Sequence, residues 1–282
     1  MRIIDFISDV HLDFYFDVEN RQQIFANMFV NQKGTDLIIC GDLFVGLSNH
    51  DQMIKHREHI NLLDQFFKVV NNRYQNVYFV MGNHDYWGGW LQDGEKEVEK
   101  ILKDRAIVLH NSYIKVEDVL MWGSTMWTNV SNPIDYLRVQ QTMGDYRATY
   151  INKDQKRLIT VDDTNLQNAK SFNSLKDLLE ITDKNVVVIS HHCPSYGSQV
   201  KLDKHDRRLD CGFYNKFDNF IINHQDRLKV WLHGHAHNAV QYNIDKVQVA
   251  SNPFGYYLVE RKLEDMFSIK SILIYDNQVK LL

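Results

Sequence analysis

The sequence has few cysteines, few prolines, no excess of basic residues and no long apolar run, and each shortage excludes a class of protein. Its three cysteines, Cys40, Cys193 and Cys211, are an odd number without C-x-x-C spacing. A disulfide framework and a thiolate zinc site are therefore excluded. Three prolines and 44% hydrophobic residues in 282 indicate an ordinary globular chain without disordered or low-complexity segments.

The charge balance sets a further limit on partners. The formal net charge is -4, so the chain has no general basic field with which to hold long duplex nucleic acid. No apolar run reaches membrane-spanning length, and charge interrupts the first residues too early for a secretory signal. Together with the cysteine usage, these features predict a cytoplasmic protein without a membrane partner. The oligomeric state is left open by the sequence.

What the chain does contain is a series of short apolar runs that predict buried strands. These runs are residues 2–8, 36–42, 77–81, 186–190 and 229–232. Helical spacing of apolar residues separates them, at residues 20–31, 56–72 and 164–179. Alternation of strand and helix predicts right-handed crossovers, a parallel core and an α/β fold in one domain, residues 1–282.

Two parts of the chain depart from that alternation. Residues 124–163 are the least periodic part and are rich in aromatics, so we predict a cap or specificity insertion there. In the carboxyl-terminal part, short segments predict antiparallel strands, at residues 239–242, 247–250, 256–259 and 267–275.

Each predicted strand delivers polar side chains at its carboxyl end. These side chains are Asp9, His11, Asp42, Asn83, His84, His191, His235 and His237. Because open α/β sheets bring the carboxyl ends of their strands together, we expect the side chains to converge. In extended backbone Asp9 and His11 would face the same side, and the histidines flanking Ala236 would reach a common centre.

The chemistry of this set points to metal. Carboxylate, imidazole and amide oxygen without thiolate are ligands for first-row divalent cations of intermediate hardness. Seven ligands are too many for one ion and suit two cations about 3.5 to 4 Å apart, as in hydrolases that activate a bridging water. A turn with a chance polar residue is the competing interpretation of each motif alone, but five such coincidences disfavour it.

These residues resemble the blocks of the calcineurin-like metallophosphoesterase superfamily, which are D-x-H, G-D, G-N-H-D/E, H and G-H-x-H. In family order the chain has Asp9 and His11, Gly41 and Asp42, Gly82 to Asp85, His191, and Gly234 to His237. It is also similar to a bacterial and phage-like subset of unassigned substrate. The shared segments are T-x-W at residues 125–127, D-Y-R at 145–147 and N-P-x-G-Y at 252–256.

The resemblance implies a four-layer α-β-β-α sandwich with mixed sheets and a dinuclear metal site at the carboxyl-terminal ends of strands. It implies one metal held by Asp9, His11 and His237, a second held by Asn83, His191 and His235, and Asp42 as the bridge. Mn²⁺, Fe²⁺ or Fe³⁺, Zn²⁺ and Ni²⁺ all suit such ligands, and the pair is not determined. His192 stays an alternative to His191, which we prefer because it comes first after its strand.

The resemblance also implies catalytic roles outside the metal ligands. His84 would lie near the leaving-group oxygen as a general acid or charge stabiliser, oriented by Asp85. Many relatives carry an acidic or amide residue shortly after G-D, whereas residues 43–45 are apolar here, which leaves that side of the pocket more apolar. Candidate substrate contacts are Arg147, Trp127 and His192.

The expected activity is hydrolysis of a small phosphate ester, a phosphodiester or nucleotide, by a metal-bridging hydroxide. Two divalent ions offset by Asp9, Asp42 and the hydroxide would leave the centre about one positive charge, which attracts phosphate although the whole chain is acidic. A non-catalytic scaffold that keeps the fold is one alternative, and a single-strand nuclease is another.

Overall fold

A computed structural model of the chain describes residues 1–199, 207–260 and 267–282. The strands in chain order are β1 (Arg2–Ile7), β2 (Asp36–Cys40), β3 (Asn76–Val80), β4 (Ile107–Val108), β5 (Ser112–Val116), β6 (Val119–Ser124), β7 (Asn185–Ser190), β8 (Leu228–His233), β9 (Gln241–Ile244), β10 (Val247–Ser251), β11 (Lys270–Tyr275) and β12 (Gln278–Leu281). The helices are α1 (Arg21–Met28), α2 (His50–Lys55), α3 (Arg57–Asn71), α4 (Gly94–Leu102), α5 (Pro133–Thr142), α6 (Asp145–Ala148), α7 (Val161–Ile181) and α8 (Asp218–Asn223).

The strands form two mixed sheets of six strands each. The first has the order β12-β11-β1-β2-β3-β4, with β1 to β4 parallel and β11 and β12 antiparallel. The second has the order β5-β6-β7-β8-β10-β9, with a parallel centre from β6 to β10 and antiparallel edge strands. In both sheets the parallel strands are neighbours, so their carboxyl ends lie side by side.

The two sheets pack against each other and are covered by helices on their outer faces. Between the sheets lie buried side chains such as Phe6, Ile38 and Val80 from the first and Met121, Val187 and Leu232 from the second. Helices α1, α3 and α4 cover the first sheet, and α7 and α8 cover the second. Because both faces of the central strands are buried, they are nearly continuous apolar runs. The predicted four-layer α-β-β-α sandwich is confirmed.

Several boundaries differ from the predictions for local reasons. Helix α7 begins at Val161, earlier than expected, because the Asp163 carboxylate accepts hydrogen bonds from the Thr160 N–H and hydroxyl in a capping box. The short helices α2 and α8 were not predicted, since six residues carry too little periodicity.

The prediction for the carboxyl-terminal strands was wrong in two respects. Strand β10 pairs in parallel with β8, although its pairing with β9 is antiparallel. Residues 256–259 form a turn instead of a strand, because Gly255 has φ +83° and the N–H of Glu260 donates back to the Tyr256 carbonyl.

The least periodic part of the sequence contains α5 and α6, and isolated bridges join Tyr150 to Trp90 and to Leu158. This segment is therefore packed onto the sandwich, next to the loop that follows β3. No helix in the described ranges combines the length and the apolar character needed to cross a membrane.

Candidate metal centre

The polar side chains gather where the parallel strands of both sheets end. The first sheet contributes Asp9, His11, Asp42 and Asn83, and the second contributes His191, His235 and His237. The two groups touch directly, because the backbone N–H of His235 donates to Asp9 Oδ1 at 3.0 Å. The site therefore lies across the seam between the sheets.

Five of the seven candidate ligands have left-handed backbone. They are Asp9 (φ 53°), His11 (47°), Asp42 (54°), His235 (72°) and His237 (50°). The extended backbone predicted for residues 9–11 and 235–237 was wrong, and tight turns bring these side chains together instead. Left-handed backbone costs a non-glycine residue about 1–3 kcal/mol, so the surrounding structure must hold the turns in place.

Two glycines allow the loops after β2 and β3 to touch. A Cβ atom on Gly41, which has φ +85°, would collide with Nδ1 of His191, and one on Gly82 would collide with the Asp42 carboxylate. The glycines of the G-D and G-N-H-D segments are thus required by close approach.

Asp85 holds these same loops to each other. Its carboxylate accepts backbone N–H bonds from Asp42, Leu43, Phe44 and Gly82 at 2.6–3.0 Å. Burial and then the charge of Asp42 raise the pKa of Asp85 to about 8, and the N–H bonds oppose that rise. Asp85 therefore fixes the position of the Asp42 backbone.

Two imidazoles are oriented by an acceptor at their other ring nitrogen. Nδ1 of His237 lies 2.6 Å from the Glu260 carboxylate, and Nδ1 of His191 lies 2.8 Å from the Cys40 carbonyl oxygen. Both acceptors require an N–H at Nδ1, which makes Nε2 the nitrogen that would bind a metal once it loses its proton. Nε2 of His237 is 3.4 Å from Asp9 Oδ1, so this nitrogen faces the cluster.

The orientation of the Asn83 amide follows from a buried carboxylate. Asn83 Nδ2 donates to Asp145 Oδ1 at 2.7 Å, and Trp87 Nε1 donates to the same oxygen at 2.8 Å. Because a carboxylate only accepts, the amide nitrogen must face Asp145. Asn83 Oδ1 then faces His191 Nε2 at 3.0 Å and His235 Nδ1 at 2.9 Å. The amide oxygen thereby faces the cluster.

The side chains form two ligand sets that share one carboxylate. The sets are Asp9, His11, Asp42 and His237, and Asp42, His191 and His235, with ligand atoms within 4.8 Å of one another in each set. Nε2 of His11 lies 3.2 Å from Nε2 of His237, and the buried Asp9 Oδ2 has no hydrogen-bond partner among the described residues. Imidazole nitrogens facing each other beside an unpaired carboxylate oxygen fit divalent cations.

The electrostatics of the cluster favour charged carboxylates. Burial raises the pKa of Asp42, but the neighbouring His191 outweighs it and holds that pKa well below its ordinary value. Burial lowers the pKa of His11 to about 3, so this imidazole is neutral, as a ligand must be. At His237, burial is outweighed by Asp9 and Glu260, which raise the pKa to about 10. A cation binding there displaces a proton.

His84 lies half-buried at the edge of the cluster. The Trp87 indole stacks on its ring at 3.8 Å and 23°, its Nε2 lies 3.5 Å from the Tyr256 hydroxyl, and its backbone N–H donates to Asp42 Oδ1 at 2.9 Å. Asp85 was predicted to orient this imidazole, but its hydrogen bonds go to the backbone. The stacked Trp87 indole therefore positions the His84 ring, which corrects that prediction.

The two adjacent histidines differ in their neighbours. His191 lies in the cluster, whereas His192 is 1% exposed, with Nδ1 3.3 Å from the Thr125 carbonyl oxygen. The His192 ring packs between those of His235, at 4.1 Å, and Trp127, at 5.0 Å. Trp127 is itself 3% exposed. Both side chains lie beneath the ligands, which corrects the prediction that they contact substrate.

Arg147 is the remaining predicted substrate contact, and Asp145, Tyr256 and Glu260 are site residues that the sequence analysis missed. Arg147 is exposed, and its guanidinium donates to the Thr142 carbonyl oxygen at 2.7 Å. Asp145 and Tyr256 belong to the D-Y-R and N-P-x-G-Y segments, so motif position was a usable indication for both. No sequence motif indicated Glu260, because it is a single carboxylate 23 residues beyond His237.

Comparison with known proteins agrees with this geometry. The profile of the family described as calcineurin-like phosphoesterase matches residues 3–239. The chain belongs to the calcineurin-like phosphoesterase family. Membership implies metal-dependent hydrolysis of phosphoesters and does not define the substrate.

Individual relatives are distant in sequence. The uncharacterized protein L509 of Acanthamoeba polyphaga mimivirus is 24% identical over 272 residues, which is 91% of this chain and 92% of that protein. The phosphopantetheinyl hydrolase PptH of Mycobacterium tuberculosis superposes with a TM-score of 0.64 at 11% identity, covering 90% of this chain and 89% of the other. TT1561 of Thermus thermophilus gives a TM-score of 0.53 at 12% identity, covering 89% of each chain. At these identities the solved structures establish a shared fold.

Proposed function

We propose that this chain is a dinuclear metal-dependent hydrolase of small phosphate esters, with phosphodiesters or nucleotides as substrates. The observation that carries the proposal is the pair of ligand sets joined by Asp42. Since each set offers carboxylate and imidazole to one cation, the shared carboxylate would bridge two cations. Asn83, whose amide oxygen faces His191 and His235, completes the second set.

When bound, two divalent cations supply an activated water and stabilise charge on the phosphoryl oxygens. The chain's own residues hold the reactants around that centre. The water loses a proton to solvent, its oxygen bonds to phosphorus as the bond to the leaving oxygen breaks, and His84 Nε2 delivers a proton to that leaving oxygen. Trp87 stacks on the His84 ring, so the imidazole enters this step already oriented.

The segment 124–163 supports substrate selection in this proposal. Asp145 joins it to the centre through Asn83 and Trp87. The carboxylate thus couples the insertion to one ligand and to the indole that stacks on His84. We infer that this segment forms a wall against the organic part of the ester.

The test is a turnover screen of chelated protein to which manganese is restored. The substrates are bis-nitrophenyl phosphate, nitrophenyl phosphate, cyclic nucleotides, dinucleoside polyphosphates and short oligonucleotides. We expect activity to disappear with chelation and to return with metal. Undiminished turnover in metal-free protein contradicts the two-metal proposal. A non-catalytic scaffold predicts no turnover on any ester, and a single-strand nuclease predicts preference for the oligonucleotides.

The role of His84 has a separate test. His84→Ala should reduce hydrolysis of alkyl esters far more than that of nitrophenyl esters, because nitrophenolate leaves without a proton. His224→Ala, on an imidazole that contacts the Phe220 carbonyl oxygen at 2.8 Å near the end of α8, is the matched control. Equal losses on both ester classes would remove the general-acid assignment.

A further inference from the structure

The loop that carries Tyr256 is fixed to the end of β1. The N–H of Phe254 donates to the Ser8 carbonyl at 2.8 Å, and the N–H of Gly255 donates to the Asp9 carbonyl at 2.9 Å. The Asn252 amide donates to the Phe6 carbonyl at 3.0 Å. Because Asp9 is itself a candidate ligand, the loop and the metal centre have a common backbone support.

The turn after this anchor aims the tyrosine at the centre. Gly255 has φ +83°, and a Cβ atom there would lie 2.6 Å from Glu260 Oε2. That same carboxylate oxygen accepts the Tyr256 N–H at 3.0 Å and lies 2.6 Å from His237 Nδ1. Glu260 therefore fixes Tyr256 and His237 relative to each other.

The Tyr256 ring lies against two candidate ligands and the candidate acid. Its centroid is 4.4 Å from that of His11 and 4.6 Å from that of His237, and Phe14 packs against it at 4.8 Å. Its hydroxyl is 3.5 Å from His84 Nε2. A separation of 3.5 Å is long for a hydrogen bond between these atoms, so the O–H is available to another acceptor.

We propose that Tyr256 is a further catalytic residue, whose hydroxyl donates a hydrogen bond to an oxygen of the phosphoryl group bound at the metal centre. This inference rests on the proposed function. The ring lies against His11 and His237, which would hold one cation, and the hydroxyl lies next to the imidazole that would protonate the leaving oxygen. A donor fixed there stabilises negative charge without reorganisation during the reaction.

Two other roles for Tyr256 predict different behaviour. A residue that only orients His84 would share its leaving-group dependence, since both substitutions would impair the same proton transfer. A residue that only packs against His11 would be replaced by phenylalanine without loss. A donor to the phosphoryl group instead acts on every ester and also on inorganic phosphate.

The test compares Tyr256→Phe with Tyr257→Phe in the manganese-loaded protein. Tyr257 is the adjacent residue, its ring stacks on Tyr15 at 4.8 Å and 18°, and its buried hydroxyl has no hydrogen-bond partner within the part of the chain that the structure describes. The same atom is thus removed from two neighbouring rings, and only one of them faces the centre. Metal content and thermal unfolding are measured on both variants to establish that each is folded and loaded.

For Tyr256→Phe we expect kcat/KM to fall by about 10- to 100-fold, equally for alkyl and nitrophenyl esters. Calorimetric binding of inorganic phosphate should weaken, while metal content stays unchanged. Tyr257→Phe should match the wild type in all three measurements. Unchanged turnover and phosphate affinity in Tyr256→Phe would overturn the proposal, as would a loss confined to alkyl esters.

Failure of the proposed function gives a different result. If the wild-type chain turns over no ester, the hydrolase proposal fails, and phosphate binding by the manganese-loaded protein alone decides the role of Tyr256. Equal phosphate affinity of wild type and Tyr256→Phe then refutes the hydrogen bond. Weaker affinity in the variant supports it without catalysis.

Discussion

The two sheets contribute different chemistry to the same centre. The ends of β1, β2 and β3 supply every candidate oxygen ligand, whereas the ends of β7 and β8 supply only imidazoles. At the first sheet, the loops after β2 and β3 are held by hydrogen bonds to Asp85 and by the close contact at Gly41 and Gly82. At the second sheet, the rings of His191 and His237 are oriented by acceptors from other parts of the chain, Cys40 and Glu260.

The oxygen ligands and the imidazole ligands are therefore held in position by different kinds of contact. Asp42 is placed by its main chain, which Asp85 holds, and the Asn83 amide is oriented by Asp145. Imidazoles have two nitrogens, and the partner of one nitrogen decides which is free for metal. Substitutions at the strand ends of the two sheets should therefore have different effects on the site.

The largest effect is expected at Asp42, the residue that both ligand sets share. Asp42→Asn removes the negative charge between two sites, so neither cation retains its ligand set. We expect kcat/KM to fall by more than about 1000-fold and bound metal to fall at both sites. Metal analysis after gel filtration measures the second quantity. Asp118→Asn, which alters an exposed carboxylate paired with Lys115, should retain full activity and metal.

The next effect is a difference in bound metal between substitutions of the adjacent residues His191 and His192. His191→Asn should lower bound metal, because Nε2 is lost from the set that contains Asp42 and His235. His192→Asn should keep bound metal and lose thermal stability, since it disturbs packing between His235 and Trp127. If instead His192→Asn releases metal and His191→Asn does not, the ligand assignment is reversed.

A smaller effect on metal affinity is expected at Asp145, which lies in segment 124–163 and contacts Asn83. Asp145→Ala removes the oxygen that accepts from both Asn83 Nδ2 and Trp87 Nε1. Loss of such a supporting contact lowers metal affinity by about 10- to 100-fold. Titration with manganese measures the change. Asp135→Ala, in the first turn of α5 of the same segment, is the control, and equal affinities in the two variants would contradict the role of Asp145.

The smallest effect is expected on the free energy of unfolding, at the start of α7, which covers the second sheet. Asp163→Asn weakens the capping box of α7 and should cost about 0.5–1 kcal/mol at neutral pH. Burial raises the pKa of Asp163, but Arg157 and Thr160 outweigh it and lower that pKa. A lowered pKa means that the stabilisation is complete above the unfolded value of about 3.9 and is lost as pH falls through the folded value.

Thermal unfolding from neutral to acidic pH checks this prediction. The difference in Tm between wild type and Asp163→Asn should be constant near neutrality and shrink in acid. Asp162→Asn, at the neighbouring first-turn position, is the control. Activity should be unaffected at neutral pH, and a loss of bound metal in Asp163→Asn would show that the two sides are not independent.

The sequence allowed the alternation of buried strands and helices and the candidate ligands to be predicted because both depend on short local patterns, whereas the four layers were implied by the family resemblance. Buried parallel strands are apolar throughout, and their ends are marked by glycine and then by polar residues, as at Gly41 and Asp42. The backbone at those ends was not predictable in the same way. Left-handed φ at His235 and His237 is imposed by contacts with the other sheet, which no local pattern contains.

The supporting residues were hard to predict for the same reason. Asp145 and Glu260 act on ligands far away in sequence, so their importance appears only once the chain is folded. Trp127 shows the opposite error, because an aromatic in a family segment was taken as a substrate contact and is core. An aromatic ring contributes to packing wherever it is enclosed, and sequence does not report enclosure.

The hydrogen bond from His235 N–H to Asp9 Oδ1 joins residues 226 positions apart. Cations held from both sides would make that junction a reversible cross-link closing most of the polypeptide into one loop. The entropy of closing a loop grows only slowly with its length, so even so large a ring is favourable once a strong link exists. A cation that binds only the folded chain also adds stability in proportion to the logarithm of its concentration. Resistance to heat should therefore follow the free metal concentration, even when no substrate is present.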